Sequence, residues 1–369
     1  MSLAGPRPAV LFVSVPTGVG GSTRSLATVL GSLDGDASRV LAGPPIGRFV
    51  GLVADQRSAE LRLPIVDHRP SWRPLRRAWT ALRLAWWVWR HRRRLRAIHA
   101  NGLKELSLSV LAALVGRVRL VVWVHNFLLP PSVKLFGPLW RVLLRFCDVR
   151  WAAVSPLAAE LAAGAGLVAR ADVEIVPNPI DPADVVATGR QPHPGVTAAY
   201  VGAPRAYKGF PDLPAIVEAT DPAAVRWLVF SHPTDDDLAA TWDRLRALEA
   251  EGRLEIRGKL TDVRRAYAEC DIVVAPSVRE SFCRVAAESM LNGIPVVGTD
   301  LDPIRDLLGE DEAGLVVPVH DPPAAGAAVM RLAADPALRE GLGAAGRDRA
   351  GRFSPAVVRD QLAALYGLG

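Results

Sequence analysis

Cysteine is scarce in this 369-residue chain, which contains only Cys147, Cys270 and Cys283. Their number is odd, they are far apart, and none lies at the short spacing of metal ligands. These features argue against a disulfide framework and against a zinc site. They indicate instead a protein of the reducing cytosol.

Long apolar segments are also missing. The N-terminal apolar run, residues 10–15, is too short for a signal peptide and ends at Pro16. The longest later run, residues 106–115, falls well short of the roughly 20 residues that cross a bilayer. We therefore predict a cytoplasmic protein without a transmembrane helix.

What the chain does have is a large apolar content, 50% of its residues, and a modest formal net charge of +6. A chain of this length is longer than one hydrophobic core usually supports, so two domains are expected. Residues 181–194 are polar and contain prolines, which is typical of interdomain linkers. We place an N-terminal domain at residues 1–185, a C-terminal domain at 186–352 and a final helical segment at 353–369.

A glycine-rich loop follows the first predicted strand. Gly20 and Gly21 lie between the apolar residues 10–15 and a helical segment, residues 24–33. Glycine lets the backbone approach a ligand and the start of a helix favours negative charge, so the loop is suited to phosphate. The glycines form neither the dinucleotide fingerprint nor a P-loop. A purely structural turn is the alternative interpretation.

Between Arg73 and Arg96 the chain has no acidic residue, many arginines and four tryptophans. On a helix, Trp79, Trp86 and Trp89 share one apolar face, and Trp87 falls beyond the arginines, away from that face. One interpretation is a helix whose apolar face packs into the core and whose basic side is solvated. The other is an interfacial helix on an anionic membrane. Nucleic acid is not expected, because no recognition module accompanies the charge.

The most informative stretch runs from residue 271 to residue 300. An apolar run that predicts a buried strand leads to Glu280, a helical segment from Ser281 contains Glu288, and a second strand follows at Ile294. In open α/β sheets, ligands bind beyond the carboxyl ends of the strands. Carboxylates accept hydrogen bonds from hydroxyl groups, and the N–H groups at the start of a helix hold phosphate. Together they suit a phosphorylated, polyhydroxylated ligand. By spacing alone, the two glutamates are ordinary solvated charges.

In context, the stretch resembles the signature of glycosyltransferase family 4. The frame P-S-x-x-E-S-F, five further residues and E-S-M-x-x-G-x-P-V-V begins at Pro276. The resemblance implies the α/β fold class GT-B, with two Rossmann-like domains facing across a cleft and a C-terminal helix that crosses back to the first. It implies a retaining, nucleotide-sugar-dependent transferase in which Glu280 orients the sugar and Glu288 binds the ribose.

Other positions match the same family. Gly20 and Gly21 resemble the glycine pair that borders the donor diphosphate, and His125 resembles the strand-end histidine beside the donor sugar. Arg205 and Lys208 resemble the cations of the diphosphate site, although the arginine needs a small loop shift to serve there. Two cations in a glycine-bounded loop suit a diphosphate on chemical grounds as well.

The resemblance thus implies two sets of site residues. The catalytic set is His125, Arg205, Lys208 and Glu280, and the donor-binding set is Gly20, Gly21, Ser281, Phe282, Cys283 and Glu288. Cys283 stands where the family usually has glycine. No metal site is expected, since no Asp-x-Asp motif is placed to hold one.

The implied function is transfer of a hexose-type sugar from a UDP- or GDP-linked donor to a hydroxyl acceptor, without a cofactor. Glycolipid, cell-envelope polysaccharide or glycoside biosynthesis would be its setting. A lipid-linked acceptor and a position on the inner face of the cell membrane stay open. So do two other functions: a non-catalytic nucleotide-sugar-binding scaffold at the membrane, and an epimerase of UDP-sugars.

Overall fold

The computed structural model describes residues 9–14, 21–33, 38–43, 59–62, 73–125, 128–186, 195–233, 238–258, 260, 262–309 and 312–368. The chain divides into two compact units. The first is Met1–Pro179 with Pro355–Gly369, and the second is Ile180–Ser354. Each unit is built around its own parallel β-sheet.

The sheet of the first unit has seven strands. In chain order they are β1 (Ala9–Val13), β2 (Ser38–Gly43), β3 (Ala59–Arg62), β4 (Leu95–Ala100), β5 (Arg119–Val124), β6 (Val149–Ala153) and β7 (Val173–Ile175). Their order in the sheet is β3-β2-β1-β4-β5-β6-β7. The order reverses between β1 and β4, and ligands of doubly wound folds bind at the carboxyl ends of the strands at such a switch point. Strand β1 and residues 120–124 of β5 are continuous buried apolar runs, as expected for a parallel sheet covered on both faces.

Helices cover this sheet. Those that precede the second unit in the chain are α1 (Gly21–Ser32), α2 (Arg73–His91), α3 (Leu103–Gly116), α4 (Pro131–Leu144) and α5 (Pro156–Gly164). Helix α5 shows why such segments begin where they do. Ser155 caps it by accepting a hydrogen bond from the Ala158 amide at 3.3 Å, and Pro156 occupies the first helical position, where no N–H is needed.

The second unit has a six-stranded parallel sheet. Its strands are β8 (Val196–Val201), β9 (Val225–Phe230), β10 (Leu254–Ile256), β11 (Ile272–Ala275), β12 (Val296–Thr299) and β13 (Gly314–Val317), in the sheet order β10-β9-β8-β11-β12-β13. Its helices are α6 (Leu213–Glu218), α7 (Ala239–Ala250), α8 (Arg264–Glu269), α9 (Arg284–Leu291), α10 (Asp302–Leu308), α11 (Pro322–Ala334) and α12 (Pro336–Ala350). The switch point of this sheet lies between β8 and β11. The predicted α/β class with two Rossmann-like domains is confirmed.

The last helix, α13 (Pro355–Tyr366), belongs to the first unit, where it packs against α1 and β5. The hydroxyl of Tyr366 is hydrogen-bonded to Nδ1 of His99 at 2.8 Å, and both side chains are fully buried. Arg96 Nε donates to the carbonyl of Gly367 at 2.8 Å, which satisfies a backbone oxygen just beyond the helix end. The chain end is therefore fastened to the first sheet by polar as well as apolar contacts.

Helix α2 exists as predicted, but it buries a different face. Four large side chains of the predicted apolar face are exposed: Trp79, Leu82, Trp86 and Trp89. Trp87, expected to point away from that face, is only 7% exposed and stacks on His91 with ring centroids 4.4 Å apart. The buried face is made of smaller residues, which allow close packing against α3: Thr80, Ala81, Leu84, Ala85 and Val88. The core-packed interpretation of the tryptophan face is therefore wrong. None of the described helices is long and apolar enough to cross a membrane.

His99 should make the first unit sensitive to acid. Burial lowers its pKa from 6.5 to about 3, and the neighbouring Asn101 side chain only partly offsets this lowering. Between these two pH values the unfolded chain binds a proton that the folded chain does not, so stability falls as the pH falls through this window. The expected loss is about 1.4 kcal/mol per pH unit.

We expect the His99→Gln variant, which has no imidazole to titrate, to lack this part of the acid sensitivity. The measurement is the free energy of urea unfolding of wild type and variant at several pH values from neutral to mildly acidic. A difference between the two proteins that stays constant with pH would contradict the assignment.

Candidate active site

Two loops of the second unit meet at the switch point of its sheet. The first follows β8 and contains the short 3-10 turn Ala206–Lys208, and the second follows β11. Gly209 directly follows the 3-10 turn in the first loop and has a φ of 68°. A Cβ on it would lie 1.7 Å from the carbonyl oxygen of Pro276 in the second loop. The Tyr207 carbonyl accepts hydrogen bonds from the amides of Val278 and Arg279 at 2.9 and 3.1 Å. Only glycine permits this approach, which brings the two loops together.

Lys208 and Glu280 form an ion pair across these loops, and the Lys208 side chain is partly exposed. The ammonium group of Lys208 donates to Oε1 of Glu280, and Ser277 Oγ donates to the same oxygen at 3.0 Å. Glu280 is only 6% exposed. Burial by itself lowers the pKa of Lys208, but the adjacent Glu280 charge outweighs it, so the net shift is upward. The site therefore holds a permanent cation next to a carboxylate at the place where α/β sheets bind ligands.

Arg205 lies in the same loop as Lys208, immediately before the 3-10 turn, and is half-buried. Its backbone carbonyl accepts a hydrogen bond from the Lys208 amide at 3.0 Å. The structure thus brings both predicted cations of the second domain to the carboxyl end of β8.

Helix α9 begins at Arg284, later than the sequence predicts. The reason is Cys283, which has φ 60° and ψ 69° and therefore lies in the left-handed region. This conformation costs an L-residue about 1–2 kcal/mol, and glycine adopts it freely. The thiol is buried, and burial together with the Glu280 charge raises its pKa to about 12, so it stays protonated. Before it in the turn, Ser281 is half-buried and Phe282 packs edge-on against Phe353 at 5.4 Å.

Glu288 faces the interior of the second unit and is 2% exposed. Its Oε2 accepts a hydrogen bond from the Tyr267 hydroxyl at 2.8 Å, and its Oε1 lies 3.1 Å from a guanidinium nitrogen of Arg284. Burial, and then the Glu288 charge, raise the pKa of Tyr267 well above its ordinary value, so the phenol remains a donor. Both carboxylate oxygens are held in place from two helices, α8 and α9.

Sequence reasoning missed these two supports. Arg284 had a signal, because it lies four positions before Glu288 on one helix and such pairs face each other. Tyr267 had none, because it comes from a separate helix, α8, and only the fold brings it to Glu288.

The predicted residues of the first unit lie near carboxyl ends of its strands. Gly21 is the first residue of α1, and Gly20 lies outside the described residues. His125 follows the last residue of β5 and is half-buried, with its ring 4.3 Å from that of Trp123. In the part of the chain that the structure describes, no group of three His, Cys, Asp or Glu side chains is arranged to hold a metal ion.

Comparison with known proteins places both units in related families. Residues 18–184 match the family model "Glycosyltransferase Family 4", and residues 196–335 match "Glycosyl transferases group 1". The two matches together span most of the chain.

Curated relatives align over part of their length. A phosphatidyl-myo-inositol mannosyltransferase of Mycolicibacterium smegmatis is 28% identical over 276 residues, which are 73% of this chain and 63% of the relative. A D-inositol 3-phosphate glycosyltransferase of Corynebacterium glutamicum is 30% identical over 178 residues, 46% of this chain and 42% of the relative. The chain therefore spans less than two thirds of the length of the curated relatives it matches.

Solved structures agree over nearly the whole chain. A glycosyltransferase from Rickettsia africae superposes with a TM-score of 0.80 at 14% identity, covering 99% of both chains. Alr3699/HepE of Anabaena, crystallised in complex with UDP, has a TM-score of 0.79 at 18% identity and covers 96% of this chain and 98% of its own. At these identities the likeness establishes the fold.

The contact at Gly209 predicts a large difference between two glycine substitutions. Gly209→Ala meets both the positive φ and the Pro276 carbonyl, so we expect a loss of about 3 kcal/mol or more and disruption of the Lys208–Glu280 pair. Gly252 is the matched control, because its φ is 76° but no atom lies within 4 Å of its Cβ position. Gly252→Ala should cost about 1 kcal/mol, the conformational term alone. Urea unfolding measures both, and equal losses would show that the approach to Pro276 is unimportant.

Proposed function

Since the chain belongs to glycosyltransferase family 4, we propose that it is a retaining glycosyltransferase that moves a hexose-type sugar from a UDP- or GDP-linked donor to a hydroxyl acceptor. The observation that carries the proposal is the pair of Lys208 with the buried Glu280 at the switch point of the second sheet. A cation that remains charged is what a diphosphate needs, and a fixed carboxylate oxygen accepts hydrogen bonds from sugar hydroxyls.

In this proposal Lys208 neutralises the charge that develops on the departing diphosphate, and Arg205 and the amides near Gly21 assist it. Glu280 orients the sugar of the donor, and His125 lies beside that sugar. Glu288 accepts hydrogen bonds from the ribose hydroxyls. Ser281, Phe282 and Cys283 form the wall of the donor site.

In the proposed transfer, the bond to the leaving group breaks and the bond to the acceptor forms on the same face of the sugar. The bond between the anomeric carbon and the diphosphate oxygen breaks, and the acceptor oxygen bonds to the same face of the carbon. The acceptor proton passes to the leaving phosphate, so no side-chain nucleophile is needed and configuration is retained. Cations and helix N-termini replace a metal, and no cofactor takes part.

For the acceptor we propose a lipid-linked polyol, so that the enzyme works on the inner face of the cell membrane. The relatives named for mannose transfer to phosphatidyl-myo-inositol support this class. A second support is an exposed surface, called here the apolar–basic face, on α2 and on α4 with the two residues that follow it. Its apolar members are Trp79, Leu82, Trp86, Trp89, Leu135, Phe136, Leu139, Val142 and Phe146, and its basic members include Arg83, Arg90, Lys134 and Arg145.

Both helices of the apolar–basic face, α2 and α4, pack against the same helix, α3. Trp79 and Trp86 are 63% and 64% exposed, and Leu135 and Phe146 are 73% and 72% exposed. Neither helix contains an acidic residue. Exposed apolar clusters on this scale mark interaction sites, and indole beside arginine fits the headgroup layer of an anionic bilayer.

The catalytic assignment is tested with Glu280→Gln, which removes the charge but keeps the shape. We expect turnover to fall by about 10²–10³-fold, because the sugar loses its acceptor and Lys208 loses its buried partner. Glu255→Gln is the matched control, since Glu255 forms an exposed pair with Arg226 at 2.6 Å. Transfer in the Glu280 variant within about threefold of wild type would overturn the assignment.

The same assays separate the other functions. Thermal shifts with a panel of UDP- and GDP-sugars identify the donor, because a bound ligand raises stability by mass action. A scaffold would bind a donor and neither transfer nor hydrolyse its sugar. An epimerase would return an epimerised donor without any acceptor.

The apolar–basic face is tested by flotation with liposomes of neutral or anionic lipid. We expect wild type to float with anionic liposomes, and Trp86→Gln combined with Leu135→Gln to float at least about fivefold less, because each change removes a large exposed apolar group from the lipid contact. Val357→Gln is the control, because Val357 is an exposed apolar residue on α13. Failure of wild type to float would remove the membrane claim and leave the transferase claim untouched.

A further inference from the structure

The carboxylate of Glu280 receives hydrogen bonds from two protein donors, and both reach the same oxygen. The ammonium group of Lys208 donates to Oε1, and Oγ of Ser277 donates to Oε1 at 3.0 Å. A carboxylate oxygen has two acceptor sites, so these two donors occupy both sites of Oε1. A hydroxyl group of a ligand would therefore be accepted by the other oxygen, Oε2.

Ser277 is itself fixed by the neighbouring strand. It lies two residues beyond the end of β11 and is only 3% exposed. Its backbone carbonyl accepts a hydrogen bond from the hydroxyl of Thr299, the last residue of β12, which is buried as well. Because β12 pairs directly with β11, this hydrogen bond joins the ends of two adjacent strands.

Glu280 is thus held from the ends of three consecutive strands of the sheet, β8, β11 and β12. Lys208 comes from the loop after β8, Ser277 follows β11, and Thr299 ends β12. The segment between Ser277 and Glu280 is fixed too, because two of its amides donate to the Tyr207 carbonyl in the loop after β8. Protein hydrogen bonds therefore fix both the backbone before Glu280 and one oxygen of its side chain.

The two hydroxyl groups do more than fill space. Alanine and valine would occupy nearly the same volumes without burying a polar group. Lysine is a point charge on a flexible stem with rotatable donors, so by itself it fixes the direction of a carboxylate loosely. A second donor on a fixed backbone selects one orientation of the carboxylate, and that orientation is what Ser277 supplies.

We propose that Ser277 and Thr299 are positioning residues for sugar transfer. Thr299 holds Ser277, and Ser277 together with Lys208 takes up Oε1 of Glu280. The carboxylate is thereby turned so that Oε2 meets a hydroxyl group of the donor sugar. This role rests on the proposed function, in which Glu280 orients the sugar.

Calorimetry with Ser277→Ala tests the role without requiring turnover. The probes are UDP-glucose against UDP, and GDP-mannose against GDP. We expect the variant to bind the nucleotide sugar of the pair that wild type binds about tenfold more weakly, because a carboxylate that has lost a hydrogen bond is no longer held toward the sugar. The nucleoside diphosphate has no sugar and should bind within about twofold of wild type. Equal weakening of both ligands, or of neither, would overturn the proposal.

Two changes at Thr299 separate its hydroxyl from its shape. Thr299→Val keeps the shape and should lower kcat/KM for transfer about fivefold, whereas Thr299→Ser keeps the donor and should stay within about twofold of wild type. Thr220→Val is the matched control, because the buried Thr220 hydroxyl bonds to the Val217 carbonyl and to Trp227 Nε1 at 2.8 and 2.9 Å. It should lower stability and leave kcat/KM within about twofold. A loss in Thr299→Ser or Thr220→Val equal to that in Thr299→Val would overturn the role of Thr299.

A double variant shows whether the two residues act in series. Because Thr299 acts through Ser277, Ser277→Ala combined with Thr299→Val should transfer sugar as well as Ser277→Ala alone, within about twofold. A loss equal to the product of the two single losses would contradict this arrangement.

Crystal structures keep the test separate from the proposed function. If wild type neither binds nor transfers a nucleotide sugar, the proposed function fails, and the structures still decide the positioning. In Ser277→Ala we expect the Glu280 carboxylate to leave its wild-type orientation, because Lys208 alone then holds Oε1. An unchanged carboxylate would overturn the positioning role.

Discussion

The close approach at Gly209 is the constraint on which the second unit's site depends. It places the loop after β8 directly against the loop after β11, and the Lys208–Glu280 pair spans the two. Glu280 is buried while the Lys208 side chain is 30% exposed, and burying a carboxylate costs several kcal/mol, so well-packed apolar residues in its place are often equally stable or more so. Stability alone therefore does not explain the pair. In the proposed function, this cation and this carboxylate at the switch point of the sheet bind a donor that carries phosphate and hydroxyl groups.

The second carboxylate of the motif is held in a different way. Glu288 is tied to Tyr267 and Arg284 within the helical layer, whereas Glu280 is tied to a loop cation at the strand ends. A carboxylate oxygen has two acceptor sites, so one hydrogen bond from Tyr267 leaves room for a ligand hydroxyl while it fixes the geometry. Glu280 is held by side chains of the loops at the strand ends, and Glu288 is held by side chains of two helices. Two glutamates on one short segment can thus have separate roles.

How much the sequence could predict differs between the backbone and the side chains. Strand β1 is a continuous apolar run, so its place followed from the pattern, whereas the two-domain α/β class followed from the family resemblance. The 72-residue separation of Lys208 and Glu280 hid their contact, although both were expected at strand ends. The start of α9 was misplaced because a cysteine takes the left-handed turn that glycine usually signals. The core-packed interpretation of α2 failed because hydrophobic periodicity identifies the most apolar face of a helix. Helix α2 instead buries the face whose small residues allow close packing.

The close packing of α2 against α3 explains why the apolar–basic face is exposed. Thr80, Ala81 and Ala85 let α2 approach α3, and the same choice turns Trp79 and Trp86 outward. Two forces would hold such a face on an anionic bilayer: apolar burial, at about 25 cal/mol for each Å² removed from water, and attraction of about 1 kcal/mol for each cation. Salt weakens the second force and spares the first. In the proposed function, charge would bring this face to an anionic membrane and apolar burial would hold it there, close to a lipid-linked acceptor.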